Sequence, residues 1–321
     1  MVDENIVLED PALTRKSWID TINEIKVQYS EIYGMAYSYW CGYFAGGGAS
    51  AVIDALRFVS ETLAPLAAQL SQLNANIEGL TASRKGYLSG EQPKIEALRY
   101  ADETCALTGT SLPSGARRGA GVTSPYKGYI GGGDANKVIY KIDALRYPDE
   151  SAYVLQGQLS FARLQITGAE SDVRGFFCTG YDPGYNNKIQ FIVFSNETVG
   201  TLGDAVMPSD HYSRAGASSK DKSYFAGGFL LSDGTTIDRI DALRYIDYTR
   251  STLAVVLSQA RSSLAAIQSP TKGFFGGGGT GGTPRNRIDA LVFSSETVYQ
   301  STEVLSQARN QLAGVSTPVE G

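Results

Sequence analysis

The chain has 321 residues with 28 Lys and Arg against 33 Asp and Glu, a formal charge of −5 without any basic run. This balance excludes the electrostatic signature of a nucleic-acid-binding protein. Three cysteines without paired spacing argue against a disulfide framework, and no apolar stretch approaches the roughly 18 residues that cross a bilayer. The acidic start of the chain does not resemble a signal peptide.

Residues 1–38 precede all repeats and are predicted to form a separate N-terminal extension. Between Ser17 and Ile32 apolar residues recur mostly every three to four positions, which predicts one amphipathic helix with Ser17 as its N-cap. The apolar stripe includes Trp18, Ile19, Ile22, Ile25 and Tyr29. Two interpretations stay open: a helix packed on the side of the next domain, or an attachment arm that docks on another protein or trimerises.

From Gly42 onward a glycine- and aromatic-rich motif occurs six times. Clear copies begin at Gly42 (Gly-Tyr-Phe-Ala-Gly-Gly-Gly), Gly128 and Gly273, and weaker copies begin at Gly86, Gly175 and Ser223. Successive copies start 44, 42, 47, 48 and 50 residues apart. This period is that of a four-stranded propeller blade and is too long for most helical repeats.

Three further landmarks follow each glycine motif in a fixed order. The first is a segment such as Ile53 to Phe58 (Ile-Asp-Ala-Leu-Arg-Phe), and the second is an acid-hydroxyl pair such as Glu61-Thr62. The third is a leucine-to-arginine loop such as Leu257 to Arg261, followed by an Ala/Gly-rich segment. Four apolar segments per copy predict an all-β, six-bladed propeller over residues 39–321.

The two ends of the repeat region predict how the ring closes. The tail from Gln311 to Pro318 matches the segment that precedes every other glycine motif. We therefore expect it to complete the first blade as its innermost strand, with Tyr33 to Tyr39 as the competing segment. The Gly-Gly-Gly runs are expected to allow close approach near the crowded axis and to relax the backbone for the turn that follows.

Candidate catalytic residues are few or periodic. His211 is the only histidine, so multi-histidine metal sites are excluded and a Ser-His-Asp triad would depend on this one position. One acid position and one arginine position recur around the ring and predict structural salt bridges or turn bonds: Asp54, Glu96, Asp143, Asp241 and Asp289, with Arg57, Arg99, Arg146 and Arg244. We expect no catalytic residue, no cofactor and no metal, and hence not an enzyme.

The repeated pattern Gly-Tyr-Phe-x-Gly-Gly-Gly, Ile-Asp-x-Leu-Arg-Phe, Glu-Thr and Leu-Ser-x-Ala-Arg resembles kelch-type β-propeller repeats over residues 42–318. In particular it resembles the variant common in structural and tail proteins of bacteriophages, notably those infecting cyanobacteria. The usual kelch tryptophan is missing from the repeats, because Trp18 and Trp40 both precede them. The resemblance implies a virion component, with a propeller head and the N-terminal extension as its anchor.

Length-variable loops predict the recognition face: Tyr181 to Asn187, Phe229 to Ile237 and Gly279 to Arg287 are longer than the short turn at Glu91 to Lys94. The loops after the glycine motifs share one face with the leucine-to-arginine loops, and insertions on one face of a repeat protein favour a binding role there. Candidate binding residues on this face are Tyr181, Tyr185, Asn186, His211, Tyr212, Arg163, Arg261, Arg285 and Arg309. Their chemistry suits sugars or partner loops. Loops that are merely solvated, or that pack on sister subunits, stay an open alternative.

Taken with this resemblance, the sequence predicts a non-enzymatic virion protein of a tail fibre, baseplate or capsid surface, made in the host cytoplasm. Its expected partners are other virion proteins, through the extension, and a host glycan or another virion protein, through the propeller. Several copies per particle are expected, with a homotrimer as one arrangement, and neither nucleic-acid binding nor membrane insertion is expected. The alternatives are an intracellular kelch-type interaction scaffold and a glycan-cleaving propeller enzyme.

Overall fold

A computed structural model describes residues 40–135, 137–181, 187–207 and 211–318. Within these residues the chain forms strands and turns only. The predicted N-terminal helix, its stripe from Trp18 to Tyr29 and the competing segment Tyr33 to Tyr39 all lie outside the described residues. No helix in the described part of the chain is long and apolar enough to cross a bilayer.

The described residues contain 26 strands. The first three blades in chain order contain β1 (Cys41–Ala45), β2 (Ser50–Arg57), β3 (Thr62–Asn74); β4 (Glu78–Thr81), β5 (Lys85–Ser89), β6 (Lys94–Arg99), β7 (Cys105–Ser111); β8 (Ala120–Thr123), β9 (Lys127–Gly131), β10 (Ile142–Arg146) and β11 (Ala152–Val154). The fourth and fifth contain β12 (Thr167–Glu170), β13 (Arg174–Cys178), β14 (Lys188–Val193), β15 (Thr198–Val206); β17 (Ala215–Ser218), β18 (Lys222–Ala226), β20 (Arg239–Arg244) and β21 (Arg250–Val256). A short ribbon, β16 (His211–Tyr212) and β19 (Phe229–Leu230), lies beside the fifth blade; the sixth contains β22 (Ser262–Gln268), β23 (Lys272–Thr280), β24 (Thr283–Val292) and β25 (Thr297–Arg309), and β26 (Ala313–Ser316) follows.

The strands form six four-stranded antiparallel sheets, so the predicted six-bladed propeller is confirmed. Each blade has an inner, a second, a third and an outer strand, and the glycine motif supplies the second strand. In blade 1 the inner strand is β26, which pairs with β1 from Gly42↔Ser316 to Ala45↔Ala313. The predicted closure by the C-terminal tail is therefore confirmed, and the Thr317 hydroxyl extends it by accepting the Cys41 N–H at 3.0 Å.

The antiparallel topology gives the ring two faces. The loop face contains the loops between second and third strands and the crossovers from each outer strand to the next inner strand. The turn face contains the remaining turns, and the chain enters the propeller there at Trp40 and leaves it after Ser316. The loops that the sequence singled out as length-variable therefore share one face, as predicted.

Glycines of the inner strands, rather than those of the glycine motifs, allow close packing at the axis. A Cβ at Gly79, Gly121, Gly168, Gly216 or Gly314 would clash with a main-chain carbonyl oxygen of the adjacent inner strand. The glycine-motif residues instead adopt positive φ in the loops, as at Gly47 (φ 93°) and Gly133 (φ 92°). The expectation for the Gly-Gly-Gly runs is thus correct for the turn and wrong for the axis.

Aromatic pairs join every pair of neighbouring blades. The second residue of each glycine motif is aromatic and stacks on the aromatic residue that ends the Ile-Asp-Ala-Leu-Arg segment of the next blade. Tyr43, for example, stacks on Tyr100 with ring centroids 5.6 Å apart. The other five stacks are Tyr87–Tyr147, Tyr129–Phe194, Phe176–Tyr245, Tyr224–Phe293 and Phe274–Phe58. Each aromatic side chain is buried only when the neighbouring blade is present. The closed propeller therefore stabilises its individual blades.

Ion pairs reinforce the same boundaries at the turn face. In five of the six blades, a glutamate in the left-handed turn before the outer strand accepts a bond from a lysine or arginine of the preceding blade. These pairs are Glu61–Lys272, Glu103–Arg57, Glu150–Lys85, Glu197–Lys127 and Glu296–Lys222. At the sixth boundary Tyr248 replaces the glutamate and its hydroxyl contacts Arg174 at 2.5 Å. Of the recurring arginines that the sequence singled out, Arg57 takes part in these pairs, whereas Arg99 and Arg244 pair with Asp102 and Asp247 of their own turns.

Candidate functional site on the loop face

Three aromatic side chains form a patch on the loop face between blades 4 and 5. Tyr181 lies in the loop after β13, Tyr212 in the crossover to blade 5, and Phe229 in the loop after β18. The Tyr181 and Tyr212 rings meet edge to face with centroids 5.8 Å apart, and the Tyr212 and Phe229 centroids are 5.2 Å apart. Tyr181 is 39% exposed and the other two are half-buried, so the patch is open to solvent yet packed.

Main-chain hydrogen bonds hold the patch in place. Tyr181 exchanges two bonds with Leu164, its N–H donating at 2.8 Å and its carbonyl accepting at 3.1 Å. Tyr212 pairs with Phe229 in the β16–β19 ribbon, and the Gly180 N–H donates to the His211 carbonyl at 3.3 Å. The rings are therefore fixed before any ligand arrives, which lowers the entropic cost of binding.

A departure from the repeat creates this ribbon. In the crossovers to blades 1, 4 and 6 a buried arginine, such as Arg261, stands two residues before a left-handed residue. In the crossover to blade 5, His211 has that place, and Arg214 supplies the guanidinium that bonds Asp241 at 2.7 Å. His211 is 3% exposed, so it supports the patch from inside and is not part of its surface.

Polar groups accompany the rings. Asp233 lies in the tip of the same blade-5 loop, where its carboxylate accepts the Thr235 hydroxyl at 2.7 Å and the Thr235 N–H at 3.0 Å. The Thr235 hydroxyl bond is the main cause that lowers the pKa of Asp233. Burial, with a contribution from Tyr181, raises the pKa of Tyr212, so its phenol is neutral and can both donate and accept.

Besides His211, three arginines among the predicted binding residues are buried, which corrects the expected place of all four on the loop surface. Arg163, Arg261 and Arg309 are at most 2% exposed. Each directs its guanidinium at main-chain carbonyls of the next blade, for example Arg309 to Gly46 at 2.8 Å and to Val52 at 2.6 Å. Buried charges need such partners, and Asp54, Gln190 and Asp289 complete the three sets.

The remaining predicted residues are divided between blades. Tyr181 and Tyr212 meet in the patch, whereas Arg285 is half-buried on the β23–β24 hairpin of blade 6. Tyr185 and Asn186 lie outside the described residues. Phe229 was not predicted, although it follows Gly228 at the same motif position as Tyr181 follows Gly180, and the other four copies have no aromatic residue at this position.

Most acids of the repeat are engaged in structure. Asp54, Asp241 and Asp289 bond buried arginines, and the Ser114 N–H donates to Asp143. In the described part of the chain, no group of three or more His, Cys, Asp or Glu side chains is arranged to hold a metal ion.

Comparison with known proteins supports the fold alone. No family model matches the chain, and no curated protein matches it. Among solved structures, the one described as "Structure of YjhT" is similar with a TM-score of 0.65 at 13% sequence identity, over 75% of this chain and 87% of that chain. Because 861 chains of solved structures match, this likeness does not narrow the function.

Proposed function

We propose that this protein is a non-enzymatic recognition component of a phage particle whose propeller binds a host-surface glycan. The observation that carries the proposal is the patch of Tyr181, Tyr212 and Phe229 on the loop face. The patch is formed by irregular parts of the repeat, and partly exposed aromatic rings fixed in position are typical of binding surfaces.

The chemistry of the patch suits a sugar. The C–H face of a pyranose packs on aromatic rings, while its hydroxyls need donors and acceptors at the rim. The phenols of Tyr181 and Tyr212 supply both, and the ionised Asp233 carboxylate accepts from hydroxyls. None of these contacts requires the sugar to carry a charge, which favours a neutral glycan over a highly charged one.

The periodic acids support a binding role over hydrolysis. Most glycosidases use two carboxyl groups that flank the glycosidic bond to be cleaved. The carboxylates of Asp54, Asp241 and Asp289 instead recur at equivalent places in three blades, each bonded to a buried guanidinium.

The proposed virion role rests on the sequence resemblance and on the placement of the chain entry and the aromatic patch on opposite faces of the propeller. The chain enters the propeller at Trp40 on the turn face, whereas the aromatic patch lies on the loop face. An intracellular scaffold would use the same loop face for a protein partner.

A glycan array with the full chain tests the binding proposal. We expect binding to one related set of glycans, loss of binding in Tyr212→Ala, and retention in Tyr126→Ala, a matched control whose ring is 74% exposed on the turn face. Absence of any bound glycan, or equal binding by both variants, would contradict the proposal. Incubation of each bound glycan with the protein separates binding from cleavage.

Mass spectrometry of purified particles tests the location. We expect the chain at a fixed ratio to the major capsid protein. Its presence only in the lysate of infected cells would favour the intracellular scaffold.

A further inference from the structure

A cavity of about 750 Å³ lies along the propeller axis at the turn-face end of the inner strands. Its wall contains the inner-strand glycines and a belt of small polar residues, with Pro125, Pro270 and Pro318 among the lining residues. This cavity is separate from the aromatic patch, which lies on the other face.

Six side chains form the polar belt, one from each inner strand. They are Thr81, Thr123, Glu170, Ser218, Gln268 and Ser316. Each accepts the main-chain N–H of the equivalent residue in a neighbouring inner strand, as the Ser316 hydroxyl does from Gln268 at 2.9 Å and the Thr81 hydroxyl from Ser316 at 3.2 Å. The belt therefore satisfies the donors of six strand edges that have no further strand to pair with.

Glu170 is the one acid in this belt of hydroxyl and amide side chains. Its carboxylate accepts the Thr123 N–H, a bond that a serine or glutamine could also accept. Burial raises the pKa of Glu170 to about 7, with the Thr123 bond opposing the rise. A carboxyl group thus stands in a place where the fold needs only a neutral acceptor, and its charge carries a desolvation cost.

The charges that line the cavity are unbalanced. Among the described lining residues the ionisable side chains are Glu170, Asp172 and Lys220, two acids against one base. The remaining polar groups of the wall are hydroxyls, one side-chain amide and main-chain groups, whose oxygen atoms can accept hydrogen bonds, while glycines, prolines and other apolar residues form the larger share of the wall. The wall is therefore suited to a ligand that carries positive charge and several N–H donors.

We propose that the axial cavity is a binding site for a protonated primary amine, with Glu170 as the counter-ion. An ammonium group has three N–H donors and no acceptor. One donor would bond the free lone pairs of the Glu170 carboxylate, and the others would bond oxygen atoms of the belt. The amine is either a small free molecule or the side chain of a lysine on a partner that covers the turn face.

The donor set favours an amine over a metal ion. Calcium takes six to eight oxygen ligands, usually with several carboxylates. Glu170 is the only carboxyl group in the belt, and the described residues contain no group of three acidic, histidine or cysteine side chains that could hold a metal. An anion is disfavoured by the excess of acids.

Ligand-observed NMR on the full chain at pH 8 tests the proposal. n-Butylammonium is the probe, and tetramethylammonium, which has the charge without an N–H donor, is the matched probe. We expect n-butylammonium to bind at least about tenfold more tightly than tetramethylammonium, which corresponds to one charge-assisted hydrogen bond. Calcium chloride is titrated as a third ligand.

Glu170→Gln is the decisive variant, because glutamine keeps the acceptor for the Thr123 N–H. It should weaken n-butylammonium binding at least about tenfold. Glu78→Gln, which alters a buried acid near the opposite end of the axis, should bind the probe as the parent chain does. No binding by the parent chain, equal binding by Glu170→Gln, or binding of calcium without the amine would overturn the proposal.

Competition with a lysine-containing peptide distinguishes a partner's lysine from a free amine as the ligand. If the site serves a partner's lysine, a peptide with one exposed lysine should compete with n-butylammonium, and its acetylated form should not. If only the free amine binds, the peptide should have no effect. A peptide that competes equally in both forms would overturn the assignment of an ammonium group as the ligand.

Discussion

A change of Glu78 to glutamine should make the stability of the propeller less dependent on pH. Glu78 begins the inner strand of blade 2, is 5% exposed, and borders a cavity of about 80 Å³ near the loop-face end of the axis. One carboxylate oxygen accepts the Gly119 N–H at 2.7 Å, while the other has no partner among the described residues. Burial is the main cause that raises its pKa from 4.5 to about 8.

The sign follows from proton linkage. Between pH 4.5 and about 8 the folded chain holds a proton on Glu78 that the unfolded chain releases, so the free energy of unfolding falls as the pH rises. The contribution is complete below pH 4.5 and is lost above about pH 8. A shift of this size corresponds to roughly 5 kcal/mol between these limits.

Urea unfolding of the parent chain and of Glu78→Gln at pH 5, 7 and 9 measures the effect. Glutamine resembles the protonated acid, so the two proteins should be close in stability at pH 5, and the variant should be more stable by roughly 5 kcal/mol at pH 9. Glu170→Gln is the matched control, because its gain should be complete near pH 7. A constant difference between Glu78→Gln and the parent at all three pH values would refute the reasoning.

Two further predictions concern ring closure and buried charge. Val315→Asp places a carboxylate in the closing strand β26, where Val315 is 2% exposed, and should cost about 3–5 kcal/mol in urea unfolding, whereas Val304→Asp on the exposed part of β25 should cost under about 1 kcal/mol. Equal losses would show that the closing strand is not needed. Arg261→Met leaves the Asp289 carboxylate buried without its guanidinium and should cost about 3–5 kcal/mol. Lys222→Met breaks a pair that is about one-third exposed and should cost about 0–1 kcal/mol; similar costs for both would contradict the assignment of buried and surface pairs.

The closed ring could be predicted from the sequence because the first copy of the repeat lacks an inner strand and the C-terminal tail supplies one extra segment of that type. The first copy starts at its second strand, and the segment up to Pro318 matches the inner strands of the other blades, so the pairing of Val315 with Tyr43 could be expected. The stacking partners also recur with the repeat, as Tyr87 and Tyr147 do.

The candidate site is less predictable, for a physical reason. Arg163, Arg261 and Arg309 lie in polar loops of the sequence, yet they fold inward because the carbonyls of the next blade need donors. Only the three-dimensional arrangement brings those carbonyls together. Phe229 enters the site through the β16–β19 ribbon, which belongs to no repeat and therefore leaves no periodic signal.

A crystal structure of the full chain with a glycan identified on the array tests the central claim most directly. The account predicts density for the sugar against Tyr181, Tyr212 and Phe229 on the loop face of blades 4 and 5. Density for the glycan on the turn face, or on other blades with the patch empty, would contradict it.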